Sequence, residues 1–313
     1  MSETKPPGPD ADKLARQLQE SLARRRPTAW KPVLAVLSVC TLFLALFAFW
    51  LKPRPPAPLM PLVALDGLYT PDETPLARIQ LFVAAEDAES APSLRSQDVL
   101  FQGQGVEFVH QGGTASLVRM KTDSKGQTTA ELPKSAGPAL MDFQARHIDD
   151  SRGLKGAAPD SGQVFVWPKD APLLIVDVDE TLMAKELDAK AVATLKTAAE
   201  ARWRIVYLSV AGAEAESFRQ ARDWLREQAD LPAGPVLGRS QYPSQESAEQ
   251  ARIALLRSLN VRFTGPKNVV VKSAQAAETC AELRLRAIVI GDAKTSADVI
   301  RVTSWAEVFE RLK

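Results

Sequence analysis

Apolar residues recur along this chain in three rhythms, and each predicts a different structure. In the first, Val33–Leu51 (VLAVLSVCTLFLALFAFWL) carries no charge. At 1.5 Å per residue such a helix spans about 29 Å, enough for a bilayer core. Trp30 and Trp50 bracket the run, as an aromatic belt would. A cleaved signal peptide has a shorter apolar region ending in small residues. This run ends Phe49-Trp50-Leu51-Lys52-Pro53, so a single uncleaved transmembrane helix is expected. Residues 1–32 form a polar tail, in which Leu14, Leu18 and Leu22 space a short amphipathic helix over Lys13–Arg25. Residues 52–61 (KPRPPAPLMP) favour an extended, semi-rigid spacer.

The second rhythm runs from Leu62 to Pro168. Short β-like stretches recur at Arg78–Ala84, Val106–His110, Ser116–Thr122, Thr128–Leu132, Leu140–His147 and Gln163–Trp167. Turn signals separate them, including Gly112-Gly113, Asp123–Gly126 and Asp149–Gly153. This spacing predicts a β-sandwich-like accessory domain. The stretch Lys121–Glu131 resembles the Thr-Asp-x-x-Gly hairpin of transthyretin-like and other Ig-like accessory domains. No chemistry is visible here; a positioning role is the default, and the partner of the β-domain is unknown.

The third rhythm, over 169–313, alternates strand and helix, the signature of a parallel sheet. Strands are expected at Leu173–Val176, Ile205–Leu208, Pro235–Leu237, Asn268–Val271, Ala287–Ile290 and Ile300–Val302. Helices are expected at Asp188–Trp203, Ala213–Gln228, Gln245–Leu259, Ala274–Leu283 and Trp305–Leu312, with Asp188 as an N-cap.

Charge narrows the picture. The formal net charge is +1, so nothing favours nucleic acid as a partner. With only His110 and His147, a multi-histidine metal site is excluded and Ser-His-Asp chemistry has no motif. Cys40 and Cys280 are isolated and suggest neither a disulfide framework nor a zinc site. Lys5, Lys13, Arg16, Arg24, Arg25, Arg26 and Lys31 precede the apolar span, whereas only Lys52 and Arg54 closely follow it. The N-terminus is therefore expected in the cytoplasm and the bulk of the chain across the membrane, in the periplasm of a bacterial envelope.

Candidate chemistry gathers at the ends of the predicted strands. Leu173–Val176 runs into Asp177, Asp179 and Thr181; Ser209 ends the next strand; Lys272 precedes a helix; Gly291-Asp292 follows another strand. In open α/β sheets ligands bind beyond the carboxyl ends of the strands. Taken singly, each residue has an ordinary structural use: a solvated acidic turn, a cap serine, a surface lysine. Taken together they offer a carboxylate nucleophile, a second acid, a hydroxyl and an ammonium, which phosphoryl transfer requires.

In that order, Asp177-x-Asp179-x-Thr181, Ser209, Lys272 and Gly291-Asp292 resemble the four motifs of the haloacid dehalogenase superfamily, over about Pro168–Lys313. The resemblance implies a Rossmann-like parallel sheet without a large cap and Mg²⁺-dependent phosphatase chemistry. It implies Asp177 as nucleophile, forming an aspartyl-phosphate, and Asp179 as general acid/base. Thr181 would order the loop, Ser209 would bind phosphoryl oxygens and Lys272, with Lys267 as a rival, would neutralise charge. The magnesium would be held by Asp177, by Asp179 through its backbone carbonyl, and by Asp292 directly or through water. A narrower resemblance, to lipin-type phosphatidate phosphatases, rests on Arg204–Ser209, Asp223–Leu225, Leu231–Leu237 and Ile288–Asp292. Two departures stand out: no arginine shortly follows Ser209, and five residues separate Asp292 from Asp298, which leaves Asp298 or Ser296 to complete the fourth motif.

Only Leu182–Leu187 separates the first motif from its helix, and Gly238–Pro266 is too small for a large lid. An open site beside a membrane anchor leans towards a lipid phosphate such as phosphatidic acid. A phosphomonoesterase acting on soluble phosphates and a catalytically silent envelope scaffold are the alternatives.

Overall fold

The computed structural model describes residues 9–24, 36, 41, 59–82, 101–111, 117–148, 155–156, 158–183, 187–210, 212, 215–239, 247–294 and 298–312. The chain separates into two compact units, Met1–Pro56 and Ala57–Lys313. In the first, α1 (Pro9–Arg24) is an amphipathic helix with Leu14 and Leu18 exposed. The predicted span Val33–Leu51 lies almost wholly outside the described residues. Among those described, no helix is long and apolar enough to cross a membrane.

The second unit begins with short strands: β1 (Leu59–Met60), β2 (Leu62–Leu65), β3 (Gly67–Tyr69), β4 (Leu76–Leu81), β5 (Gly105–Gln111), β6 (Leu117–Lys121), β7 (Gln127–Glu131), β8 (Ala139–His147), β9 (Lys155–Gly156) and β10 (Asp160–Val166). They form a three-stranded sheet, β2-β4-β7, a five-stranded sheet, β3-β10-β8-β5-β6, and the separate pair β1-β9. The two larger sheets share one core, to which the first contributes Leu62, Ala64, Ile79 and Leu81 and the second Phe108, Phe143 and Val164. Strand β4 alternates half-buried and buried positions, the period-2 signature of a sandwich strand. Strand β2 is buried at every position and shows no alternation. Its Leu62 and Ala64 face the sandwich core, while Val63 and Leu65 face the α/β core.

The hairpin expected around Lys121–Glu131 does not form as such. Strands β6 and β7 belong to different sheets, so the turn between them is a corner. Asp123 Oδ1 holds it by accepting from the Lys125 and Gln127 amides, and Gly126 supplies a φ of 75°.

From Leu173 the chain is α/β: β11 (Leu173–Asp177), α2 (Val178–Thr181), α3 (Ala189–Glu200), β12 (Arg204–Ser209), α4 (Ala215–Glu227), β13 (Val236–Gly238), α5 (Ala248–Arg262), β14 (Lys267–Val271), α6 (Ala274–Glu282), β15 (Arg286–Ile290), β16 (Ile300–Val302) and α7 (Trp305–Val308). The sheet order is β13-β12-β11-β14-β15-β16, with every pair parallel. Strand β11 is buried throughout. Leu173 and Ile175 meet Leu255, Leu259 and Ala276 of α5 and α6, and Leu174 and Val176 meet Leu195 of α3 and Phe218 of α4. Each such side chain contributes about 1.5–3 kcal/mol by burial. Strand order reverses between β11 and β14, which makes their carboxyl ends the switch point of the sheet.

The two halves of this unit are joined by buried charge. Arg222 of α4, 0% exposed, forks onto both Asp160 oxygens of β10 at 2.8 and 3.0 Å and also donates to the Ala64 carbonyl. Arg226 reaches Asp66 at 2.6 Å. Asp66 also accepts from the Gln163 and Val236 amides.

Candidate functional site

The switch point is built from residues that end β11, β12 and β14. Asp177 closes β11 and caps α2, its Oδ1 accepting from the Glu180 amide at 3.2 Å. The Thr181 hydroxyl donates back to the Asp177 carbonyl. Because the strand ends here, Asp179 sits on α2 and reaches β12. Its Oδ1 accepts from the Ser209 hydroxyl at 2.9 Å and its Oδ2 from the Val210 amide at 2.6 Å. Asp177, Asp179, Thr181 and Ser209 therefore converge.

Their neighbours differ from expectation. Asp177 is 0% exposed, and its Oδ2 accepts from Arg252 Nε at 3.1 Å and Nη2 at 2.8 Å. The same guanidinium pairs with Glu180 at 3.1 Å and with Glu249. Glu180 in turn accepts from the Lys272 amide at 3.2 Å and from the Ser273 amide and hydroxyl at 2.8 Å each. One buried arginine thus ties together β11, α2 and α5, and Glu180 extends the tie to the start of α6.

Burial pushes the Asp177 carboxyl up to about 6. Arg252 opposes that rise, while Glu180 and Asp179 add to it. Glu180 is also raised by burial, but its hydrogen bonds from Ser273 and the charge of Arg252 outweigh this and hold it below the usual range. Burial pushes the Cys280 thiol up to about 12, so it stays an un-ionised core residue.

Sheet order and register place Asp292 and Lys267 away from this cluster. Asp292 follows β15, the second strand from β11. At about 4.8 Å per strand it is displaced sideways by roughly 10 Å. Register adds to the gap, since Val271 pairs with Val289, three residues before Asp292. Asp292 and Asp298 are both exposed, and Ser296 lies outside the described residues. Lys267 begins β14 at the opposite end of the sheet, where its Nζ donates to the Gly265 carbonyl. Lys272 does sit at the switch point, directly after β14, with an exposed side chain and a backbone amide committed to Glu180. A lysine therefore occupies the strand end next to that of Asp177.

The carboxylates expected to hold magnesium are not gathered in one place, since Asp292 stands apart from Asp177 and Asp179. Magnesium needs oxygen ligands at about 2.0–2.1 Å in near-octahedral array. Both oxygens of Asp177, Asp179 and Glu180 accept hydrogen bonds from protein groups. Among the described residues, no group of three or more His, Cys, Asp or Glu could hold a metal ion.

Sequence reasoning misses Arg252 and Glu180, although a signal exists. Arg252 lies on the buried stripe of α5 with Leu255, Leu256 and Leu259. An arginine on such a stripe needs a carboxylate partner.

No protein-family model and no curated protein matches the sequence. Among solved structures, D,D-heptose 1,7-bisphosphate phosphatase from B. bronchiseptica, complexed with magnesium and phosphate, is similar with a TM-score of 0.35 and 11% identity, over 45% of this chain and 97% of that one. The cobalt-bound deoxy-D-mannose-octulosonate 8-phosphate phosphatase from Haemophilus influenzae gives 0.32 and 12%, over 46% and 88%. A carbohydrate acetylesterase from Xanthomonas citri also gives 0.32 and 12%, over 82% and 74%. Superpositions this loose assign no activity or substrate to this chain.

Proposed function

We propose that the α/β half is a haloacid dehalogenase-like fold that does not carry out metal-dependent phosphoryl transfer, and that the protein serves as a scaffold presenting its β-rich half. One observation carries this reading: Asp177, the expected nucleophile, has no exposed surface, and both its carboxylate oxygens are held, one by Arg252 and one by the Glu180 amide. A nucleophile must approach phosphorus in line, and the phosphoryl charge must be met by cations. Here the guanidinium that could meet it is neutralised by Asp177, Glu180 and Glu249. The reading extends to the envelope: Val33–Leu51 tethers the scaffold to the membrane.

The test uses the full chain in detergent with 5'-nucleotides, p-nitrophenyl phosphate and phosphatidic acid micelles as probes, each with and without Mg²⁺. The expected result is no turnover above that of Asp177→Asn and no saturable Mg²⁺ binding by calorimetry. Mg²⁺-dependent hydrolysis abolished in Asp177→Asn would overturn the proposal. Preference for phosphatidic acid would then restore a lipid phosphate phosphatase, and preference for the soluble esters a phosphomonoesterase.

A further inference from the structure

Where the β-rich half meets α5 there is a cleft of about 260 Å³. Arg78 of β4 lies on its wall. Arg78 pairs directly with Leu65 of β2 and with Thr129 of β7, so its side chain shares a face with Leu65. Leu65 packs into the α/β core, and the guanidinium is therefore aimed at the α/β half. Arg78 as a whole is half-buried, but its Nε is buried and, among the described residues, has no hydrogen-bond partner.

The other arginines at this junction are satisfied. Arg222 pairs with Asp160, Arg226 with Asp66 and Arg262 with Glu73. The acids of the cleft are already committed: Asp66 to Arg226 and two backbone amides, Glu73 to Arg262 and to the Thr70 amide and hydroxyl. Among the described residues, no acidic side chain of the lining is thus left for Arg78. A buried donor without an acceptor is costly, and a charged one more so, so native proteins supply the missing acceptor. The remaining walls suit a small molecule: Leu255 and Leu259 are apolar, and Ser258 adds a hydroxyl.

We propose that this cleft binds a small oxyanion-bearing molecule, a carboxylate or a phosphate, whose oxygens pair with the Arg78 guanidinium. A planar guanidinium matches either oxyanion through two parallel N–H donors. Bound there, the ligand would bridge β4 and α5, the two walls of the junction. The inference is independent of whether Asp177 is reactive.

The experiment titrates the full chain in detergent with inorganic phosphate and, separately, with malonate, against sodium chloride at matched ionic strength. The readouts are melting temperature and calorimetric binding. Saturable one-site binding by one of the two, with a melting shift on the order of 5 °C at a hundredfold excess over Kd, is expected. The probe that binds tells phosphate from carboxylate. Arg78→Met should remove the shift while leaving the ligand-free melting temperature unchanged or raised. Arg78→Lys, which keeps the charge without the fork, should bind at least tenfold more weakly and serves if the methionine variant fails to fold. No saturable binding of either probe, or equal binding by Arg78→Met or Arg78→Lys, would overturn the proposal.

Discussion

Two arginines sit on the buried stripes of consecutive helices, and they have been put to different uses. Arg222 lies with Phe218, Ala221 and Leu225 on α4, and Arg252 lies with Leu255, Leu256 and Leu259 on α5. Each is nearly solvent-free, and each is surrounded by carboxylates. Arg222 forks onto both oxygens of one acid, Asp160, from the opposite half of the unit, and so fixes the β-rich half against the α/β half. Arg252 places two nitrogens on a single oxygen of Asp177 and works within the α/β half. The first pair joins two layers; the second closes a sheet switch point that in other folds stays open for ligands. A buried arginine thus reports where the fold has a charge to neutralise, and only the position of its partner says whether that charge is architectural or occupies a potential site.

The largest loss of stability is expected at Arg222. Arg222→Met takes the guanidinium from the Ala64 carbonyl and from Asp160, which keeps the Ala64 and Ser161 amides as donors but loses its cation. Removing one partner of a buried pair costs about 3–5 kcal/mol, which urea denaturation of the full chain in detergent would show as an earlier midpoint. Arg252→Met should cost less, about 2–3 kcal/mol. Asp177 is already lifted to about 6 and can shed its charge by protonation. If Arg252→Met were the more damaging of the two, the distinction between joint and closed site would fail.

A pH series sharpens the same point. The Asp177 carboxyl is lifted from 3.8 to about 6, so the folded chain holds its proton more tightly than the unfolded chain does. The stabilisation from that proton is full below pH 3.8 and is lost as pH rises through about 6. A rise of that size corresponds to about 3 kcal/mol. Relative to the non-titrating Asp177→Asn, the wild type should therefore lose about 2–3 kcal/mol between pH 4 and pH 7. A flat difference across that window would place Asp177 in a solvated setting. The smallest effect is expected at Asp292. It is exposed and remote from β11, so Asp292→Asn should shift stability by less than about 0.5 kcal/mol at any pH. A larger effect, or one that depends on Mg²⁺, would bring Asp292 back to the site.

Much of this architecture was legible in the chain. The alternation of strand and helix after Pro168 is local, because each apolar run and each cap is set by near neighbours. Asp188 caps α3 through the Lys190 amide, as its position suggests. The Asp177-x-Asp179-x-Thr181 turn was equally readable, since it lies within five residues. The strands β2 and β3 were not, because residues buried on two sides carry no period-2 signal. The partner of Arg252 was not legible, because it stands 75 residues away.

Asp292 and Lys272 show where local reading ends. Each follows a short apolar strand, and by pattern alone either could stand beside Asp177. Periodicity and turns are short-range properties, so the parallel α/β sheet of the second half and the acids at its strand ends follow from local pattern. Which strand end meets Asp177 is a long-range matter. Strand order is set by which faces pack together across the whole domain, and that order put Lys272 beside β11, Asp292 one strand farther away, and Arg252 on the Asp177 carboxylate.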